Sequence, residues 1–112
     1  MPHIIIEYTA ELDQDHDFQA LCEDIYQALA AHPAVPAPSL KIRALPCPYW
    51  RNGLEGQSFV HTDLKLLAGR NAETKAELAD LVLAAMAARL QTVGCLSVDV
   101  IELSSTYRKR DL

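Results

Sequence analysis

The sequence predicts an α+β fold with α/β-type repeats: two β-α-β units forming one four-stranded mixed sheet, with both helices on one face. Three observations predict it. Four short apolar or alternating segments read as strands, two amphipathic stripes read as helices, and the order is strand–helix–strand twice over, in halves of nearly equal length (about 2–45 and 58–103). A strand–helix–strand crossover sets its two strands parallel and keeps its helix on one side of the sheet. The other side is then bare, and a bare face with free edges needs covering, which self-association would supply.

Taken in order, Pro2–Tyr8 (PHIIIEY) reads as the first strand because of its β-branched run. Gln14–Ala31 reads as a helix, with Phe18, Leu21, Cys22, Ile25 and Leu29 at helical spacing, Asp13 or Asp15 available as its cap, and His32-Pro33 at its end. The Pro-rich stretch AHPAVPAPS connects to a second strand, Ser39–Leu45, in which Leu40, Ile42 and Ala44 alternate with Lys41 and Arg43. Pro46, Pro48 and Asn52-Gly53 mark an irregular loop carrying Tyr49 and Trp50. Ser58–Leu67 reads as the third strand, with Val60, Thr62, Leu64 and Leu66 on one face and His61, Asp63 and Lys65 on the other. Ala68-Gly69-Arg70-Asn71 turns into the second helix, with Asn71 as N-cap and Leu78, Leu81, Val82, Ala85, Met86 and Leu90 as its buried stripe. Gly94 suits the helix exit, Leu96–Leu103 reads as the last strand, and SSTYRKRDL reads as a loosely held polar tail.

At 112 residues, 50% hydrophobic and 22% charged, the chain reads as one soluble domain, 1–112, small enough to profit from oligomerisation. A net charge of −5 argues against a nucleic-acid partner. The most apolar stretch, Leu78–Leu90, is broken by Asp80 and Arg89 and is no membrane span, and no signal peptide is visible. Cys22, Cys47 and Cys95 are odd in number and widely spaced; they fit neither a disulfide framework nor a zinc site and point to a reducing, cytoplasmic setting.

No Gly-rich phosphate loop, nucleotide motif or Ser-His-Asp arrangement is visible, and two strand histidines make a poor metal site, so no cofactor or metal is expected. His3 and His61 read as structural hydrogen-bonding residues, and Glu7 alone is a weak acid candidate. Lys41, Arg43, Lys65 and Arg70 lie on or beside predicted central strands; Lys65 reads as paired with an acid among Glu7, Asp63 and Asp99, and the others take either those partners or substrate carboxylates. Pro2 is a further candidate, although many chains carry proline at position two with no chemical role. Removal of Met1 would turn its nitrogen into a free secondary amine, and partial burial in a pocket would lower that amine's pKa toward the range of a general base. With Met1 attached, the same nitrogen is an amide with no basicity.

Several stretches carry a resemblance. PHIIIEYT, KIR, SFVHTDLKLLAGR and LSVDVIEL together cover most of the chain between Pro2 and Leu103, and the FVH…LK…AGR string is the most specific. The sequence resembles the tautomerase superfamily and, within it, the 5-carboxymethyl-2-hydroxymuconate isomerase family. The resemblance implies a homotrimer with helices outside and sheets facing in, and a cofactor-free isomerase of aromatic-compound degradation. In it Pro2 would move a proton along a 2-hydroxymuconate-type dienol polycarboxylate to give an unsaturated 2-oxo acid. Arg43 and Arg70 would bind substrate carboxylates and stabilise the dienolate, with Lys41 assisting. Lys41 stands where the family has an arginine, and the tail stops early. The alternatives are a tautomerase, dehalogenase or decarboxylase acting on another unsaturated acid, or a non-catalytic trimeric binding protein.

Overall fold

A computed structural model describes residues 2–112. Met1, whose removal the reading of Pro2 requires, lies outside the described residues. Four strands, β1 (His3–Thr9), β2 (Lys41–Cys47), β3 (Phe59–Leu66) and β4 (Cys95–Glu102), form one sheet in the order β2-β1-β3-β4. The helices are α1 (Phe18–Ala30) and α2 (Ala72–Arg89). β1 and β2 run parallel, β3 and β4 run parallel, and the two halves join through antiparallel β1 and β3. This is the expected mixed sheet. β1 and β3 are central, so Lys41 and Arg43 lie on an edge strand, not a central one.

Alternation along the strands sorts the side chains. Ile4, Ile6 and Tyr8 of β1 and Val60, Leu64 and Leu66 of β3 are buried, together with Leu21, Ile25 and Leu29 of α1 and Leu78, Val82 and Met86 of α2. Thr62, fully buried on the same face, donates to Met86 Sδ at 3.3 Å. Leu64 pairs with Ile4 on one side and Val100 on the other, so it sits at the centre of this layer. Leu64→Ala is expected to cost about 2–5 kcal/mol in denaturant unfolding, the range for a buried leucine whose cavity cannot fully collapse. A loss below about 1 kcal/mol would show that the core closes around the gap.

Several boundaries differ from expectation for identifiable reasons. α1 starts at Phe18 and not Gln14, and its cap is Asp17, whose carboxylate accepts from Ala20 N–H at 2.9 Å. Residues 10–14 instead form a 3₁₀ turn pinned by buried Leu12, and Asp13 is occupied by the Tyr8 hydroxyl at 2.9 Å. Burial and that bond push the Tyr8 pKa up to about 12. β2 runs on through Pro46, which an edge strand tolerates. α2 is capped by Asn71 as expected, accepting from Thr74 N–H at 2.8 Å, but it exits at Leu90 and not at a glycine. Gly94 instead precedes β4, where a Cβ would come 2.0 Å from Gln57 Cγ.

The tail is also not loose. Ser104 and Tyr107 close a turn, and Tyr107 reaches His3, 104 positions away in the chain. No helix among the described residues is long and apolar enough to cross a membrane.

Candidate active site

The strand register lays out the bare face as rows. Lys41, His3, Lys65 and Ile101 form the row next to Pro2; Arg43, Ile5, Asp63 and Asp99 form the next; Leu45, Glu7, His61 and Ser97 form the third. Neighbouring strands are about 4.8 Å apart, so Lys41 and Lys65 flank His3 closely on both sides. Pro2 itself is buried at the head of β1, and its carbonyl accepts from Lys41 N–H at 3.2 Å. The chain's net charge is −5, yet the row beside Pro2 holds two lysines, with Arg43 directly behind.

His3 is held at both ring nitrogens. Arg43 Nη1 donates to Nδ1 at 3.2 Å, and Nε2 lies 3.0 Å from the Tyr107 hydroxyl, with the two rings edge to face at 5.9 Å. A guanidinium only donates, so Nδ1 carries the lone pair and Nε2 carries the proton. Burial first, then the charges of Arg43, Lys41 and Lys65, hold the His3 pKa below its ordinary value. His3 is therefore a neutral, fully engaged ring, in keeping with a structural hydrogen-bonding role.

Arg70 occupies the loop after β3. Nη2 donates to Ala34 O at 2.9 Å and Nη1 to Leu67 O at 3.3 Å, while Nε is buried with no partner among the described residues. Ala34 precedes β2 and Leu67 follows β3, so both carbonyls belong to the end of the sheet where Pro2 lies. The guanidinium ties these loops together and keeps a second N–H on each terminal nitrogen. The structure thus places Lys41 and Arg43 on the bare face near the end of the sheet where Pro2 lies, and Arg70 in a loop at that same end, while Pro2 itself alternates with His3 and is buried on the core side with Ile4. Glu7 lies two rows away and does not join them.

Sequence reasoning missed two features. Tyr107 is one; a lone aromatic in a polar tail carries no period that singles it out. The other is a Ser-His-Asp contact, contrary to expectation: His61 Nε2 donates to Asp63 Oδ1 at 2.8 Å, and Nδ1 lies 2.6 Å from Ser97 Oγ. Strand pairing creates it by setting His61 opposite Ser97, with Asp63 two residues along the same face. Asp63 also stands opposite Asp99, and the His61 bond offsets that like-charge pairing.

Two hollows of the isolated chain lie elsewhere. One of about 270 Å³ is lined by Cys22, Tyr26, Leu40 and Ile42, and another of about 250 Å³ by Arg51, Phe59, Cys95 and Ser97. Neither includes Pro2, Arg43 or Arg70. No group of three or more His, Cys, Asp and Glu side chains among the described residues could hold a metal ion.

A double β-α-β sheet with both helices on one face and a proline at the head of the first strand defines a tautomerase-superfamily chain. Residues 2–111 match the family model of 5-carboxymethyl-2-hydroxymuconate isomerase, and the chain belongs to that family. The structure is similar to a crystal structure of 5-carboxymethyl-2-hydroxymuconate delta-isomerase (TM-score 0.87, 20% identity, covering 99% of this chain and 88% of that one). It is also similar to a 5-carboxymethyl-2-hydroxymuconate isomerase from Deinococcus radiodurans R1 (TM-score 0.82, 28% identity, 98% and 90% covered). A fused 4-OT wild-type symmetric trimer shares the fold (TM-score 0.76, 21% identity, 93% and 87% covered). No curated protein matches the sequence. Family and fold make the chain an isomerase or tautomerase.

Proposed function

We propose that the protein, once Met1 is removed, isomerises a 2-hydroxymuconate-type dienol polycarboxylate to an unsaturated 2-oxo acid, with the Pro2 amine as the proton carrier. The observation that carries this reading is the end of the sheet itself: a buried Pro2 one residue before the row that holds Lys41 and Lys65, with Arg43 in the row behind, in an otherwise acidic protein. Positive charge beside an amine disfavours its protonated form, and burial acts in the same direction, so Pro2 would be a free base near neutral pH.

The chemistry balances without a cofactor. The Pro2 nitrogen takes the proton of the 2-hydroxyl (or of a vinylogous carbon acid), leaving a dienolate. The resulting prolyl N–H then returns that proton to a carbon farther along the conjugated chain. Arg43 binds one carboxylate and stabilises the dienolate as it forms, and Lys41 adds charge at the same edge. Arg70 supplies the second N–H of each terminal nitrogen to another carboxylate. The cationic end of the sheet also draws a polyanion toward an acidic protein.

The working form in this reading is a cytoplasmic homotrimer. Ile5 and Ile101 lie on the uncovered sheet face, Leu45 there is 46% exposed, and β2 and β4 are free edges. A second copy against this face would cover the apolar residues and wall in the end of the sheet where Pro2 lies. The similarity to a fused 4-OT symmetric trimer supports that assembly.

The test is the loss of dienol absorbance with 2-hydroxymuconate and with its 5-carboxymethyl analogue, using protein shown by intact mass to lack Met1. Acceleration of either supports the assignment, and the preferred one names the substrate. Acceleration of neither removes it and leaves a tautomerase of another unsaturated acid as the alternative.

A further inference from the structure

We propose that the C-terminal tail is a strap that sets the substrate-binding arginine: Tyr107 holds the His3 ring in place, and His3 in turn holds Arg43. The Arg43 role rests on the proposed function above; the strap rests on geometry.

The contacts form one continuous chain. The Arg43 guanidinium donates to His3 Nδ1 at 3.2 Å, and His3 Nε2 is 3.0 Å from the Tyr107 hydroxyl. Each link constrains the next. A neutral imidazole has one N–H and one lone pair; the donor-only guanidinium takes the lone pair at Nδ1, which leaves Nε2–H to donate to the Tyr107 hydroxyl and hold the ring in place. That lone pair gives Arg43, on an exposed edge strand, a fixed partner. Without it the long arginine side chain would sample many rotamers, and ordering it for a carboxylate would cost entropy.

The tail is built for the task. It leaves β4 with Leu103 N–H donating to Leu66 O at 2.7 Å, and it turns at Ser104–Tyr107, where Ser104 Oγ and Thr106 Oγ1 are 2.7 Å apart. Farther on, Asp111 is paired with Lys109 at 2.6 Å. The strap therefore runs from the β4 edge to His3 on β1, across the row that borders Pro2. Tyr107 and His3 are positioning residues in this account.

The strap has a pH signature. The groups facing His3 are Arg43 and Lys41 on β2, Lys65 on β3 and Tyr107 on the tail. Burial and these cations keep His3 neutral until the pH falls below the ordinary histidine value of about 6.5. Protonation then places an N–H at Nδ1, directly against a guanidinium that can only donate. Arg43 is released and KM rises toward acid pH. Replacing Tyr107 by alanine uncovers His3, raises its pKa, and moves this rise to higher pH.

The experiment combines long-range ¹⁵N NMR of the histidine side chains with steady-state kinetics on 2-hydroxymuconate. In the wild-type chain the His3 proton is expected on Nε2, with a pKa below the ordinary range. Tyr107→Phe is expected to shift the His3 Nε2 resonance by removing its acceptor and to raise KM by about two- to tenfold, the scale of a neutral hydrogen bond, with kcat within about twofold. Tyr107→Ala is expected to raise the His3 pKa. In an Arg43→Ala background, Tyr107→Phe should add nothing to KM. A His3 proton on Nδ1 in the wild type, or an unchanged His3 in both Tyr107 variants, overturns the strap whatever the kinetics. An equal KM rise with and without Arg43 also overturns it. Wild-type protein that shows the expected spectra but leaves the dienol untouched instead overturns the proposed reaction and leaves the strap standing.

Discussion

Pro2→Ala in protein that has lost Met1 is expected to lower kcat by about 10²–10⁴-fold, the contribution of a positioned general base. The new terminus is still an amine. It loses the ring that holds the nitrogen at the head of β1 and the secondary amine that the proton transfer uses. The backbone link from Lys41 N–H to the residue 2 carbonyl does not depend on the side chain, so the sheet and its assembly should persist. Circular dichroism and sedimentation will show whether they do. A variant that keeps its assembly and its full rate would place the base elsewhere.

Arg43→Ala is expected to be the second largest loss. A hydrogen bond to a charged group is worth about 1.5–3 kcal/mol, so kcat/KM should fall by about 10- to 100-fold. The loss should appear in KM through carboxylate binding and in kcat through the dienolate. Arg43→Lys should recover only part of it, because an ammonium keeps the charge but not the planar fork. A monocarboxylate should suffer less than a dicarboxylate if Arg43 and Arg70 each hold one end of the substrate. Equal losses on both would show that Arg43 acts on the reacting end alone.

Much of the architecture was legible because it follows from side-chain periodicity. The isoleucines of β1, the alternation Val60–Thr62–Leu64–Leu66 and the stripes of α1 and α2 face the core as their spacing requires. What periodicity does not encode was misread. Asp13 resembles a helix cap, but the Tyr8 hydroxyl takes it and Asp17 caps α1 instead. Gly94 resembles a helix exit, but the constraint there is the Gln57 side chain across the chain. Lys41 and Arg43 were assigned their face correctly and their place in the sheet incorrectly, since strand order depends on how the two halves join.

The candidate residues were legible as types and not in their contacts. Lys41 and Arg43 come to the end of the sheet where Pro2 lies because parallel pairing sets His3 against Lys41 and Ile5 against Arg43. Tyr107 was not foreseen. A lone aromatic in a polar tail has no period to reveal it, and its partner is 104 positions away. The Ser97–His61–Asp63 contact likewise exists only through the pairing of β3 with β4.

The central claim is that the Pro2 nitrogen is a depressed-pKa base at a cationic end of the sheet. Its most direct test is a ¹⁵N NMR titration of the Pro2 amine in protein shown by mass to lack Met1, set beside the pH profile of kcat/KM. The account predicts a prolyl amine pKa well below that of an unstructured N-terminal proline and equal to the acid-limb pKa of the rate profile. An amine that titrates at its ordinary value, or a limb that does not track it, would contradict the account.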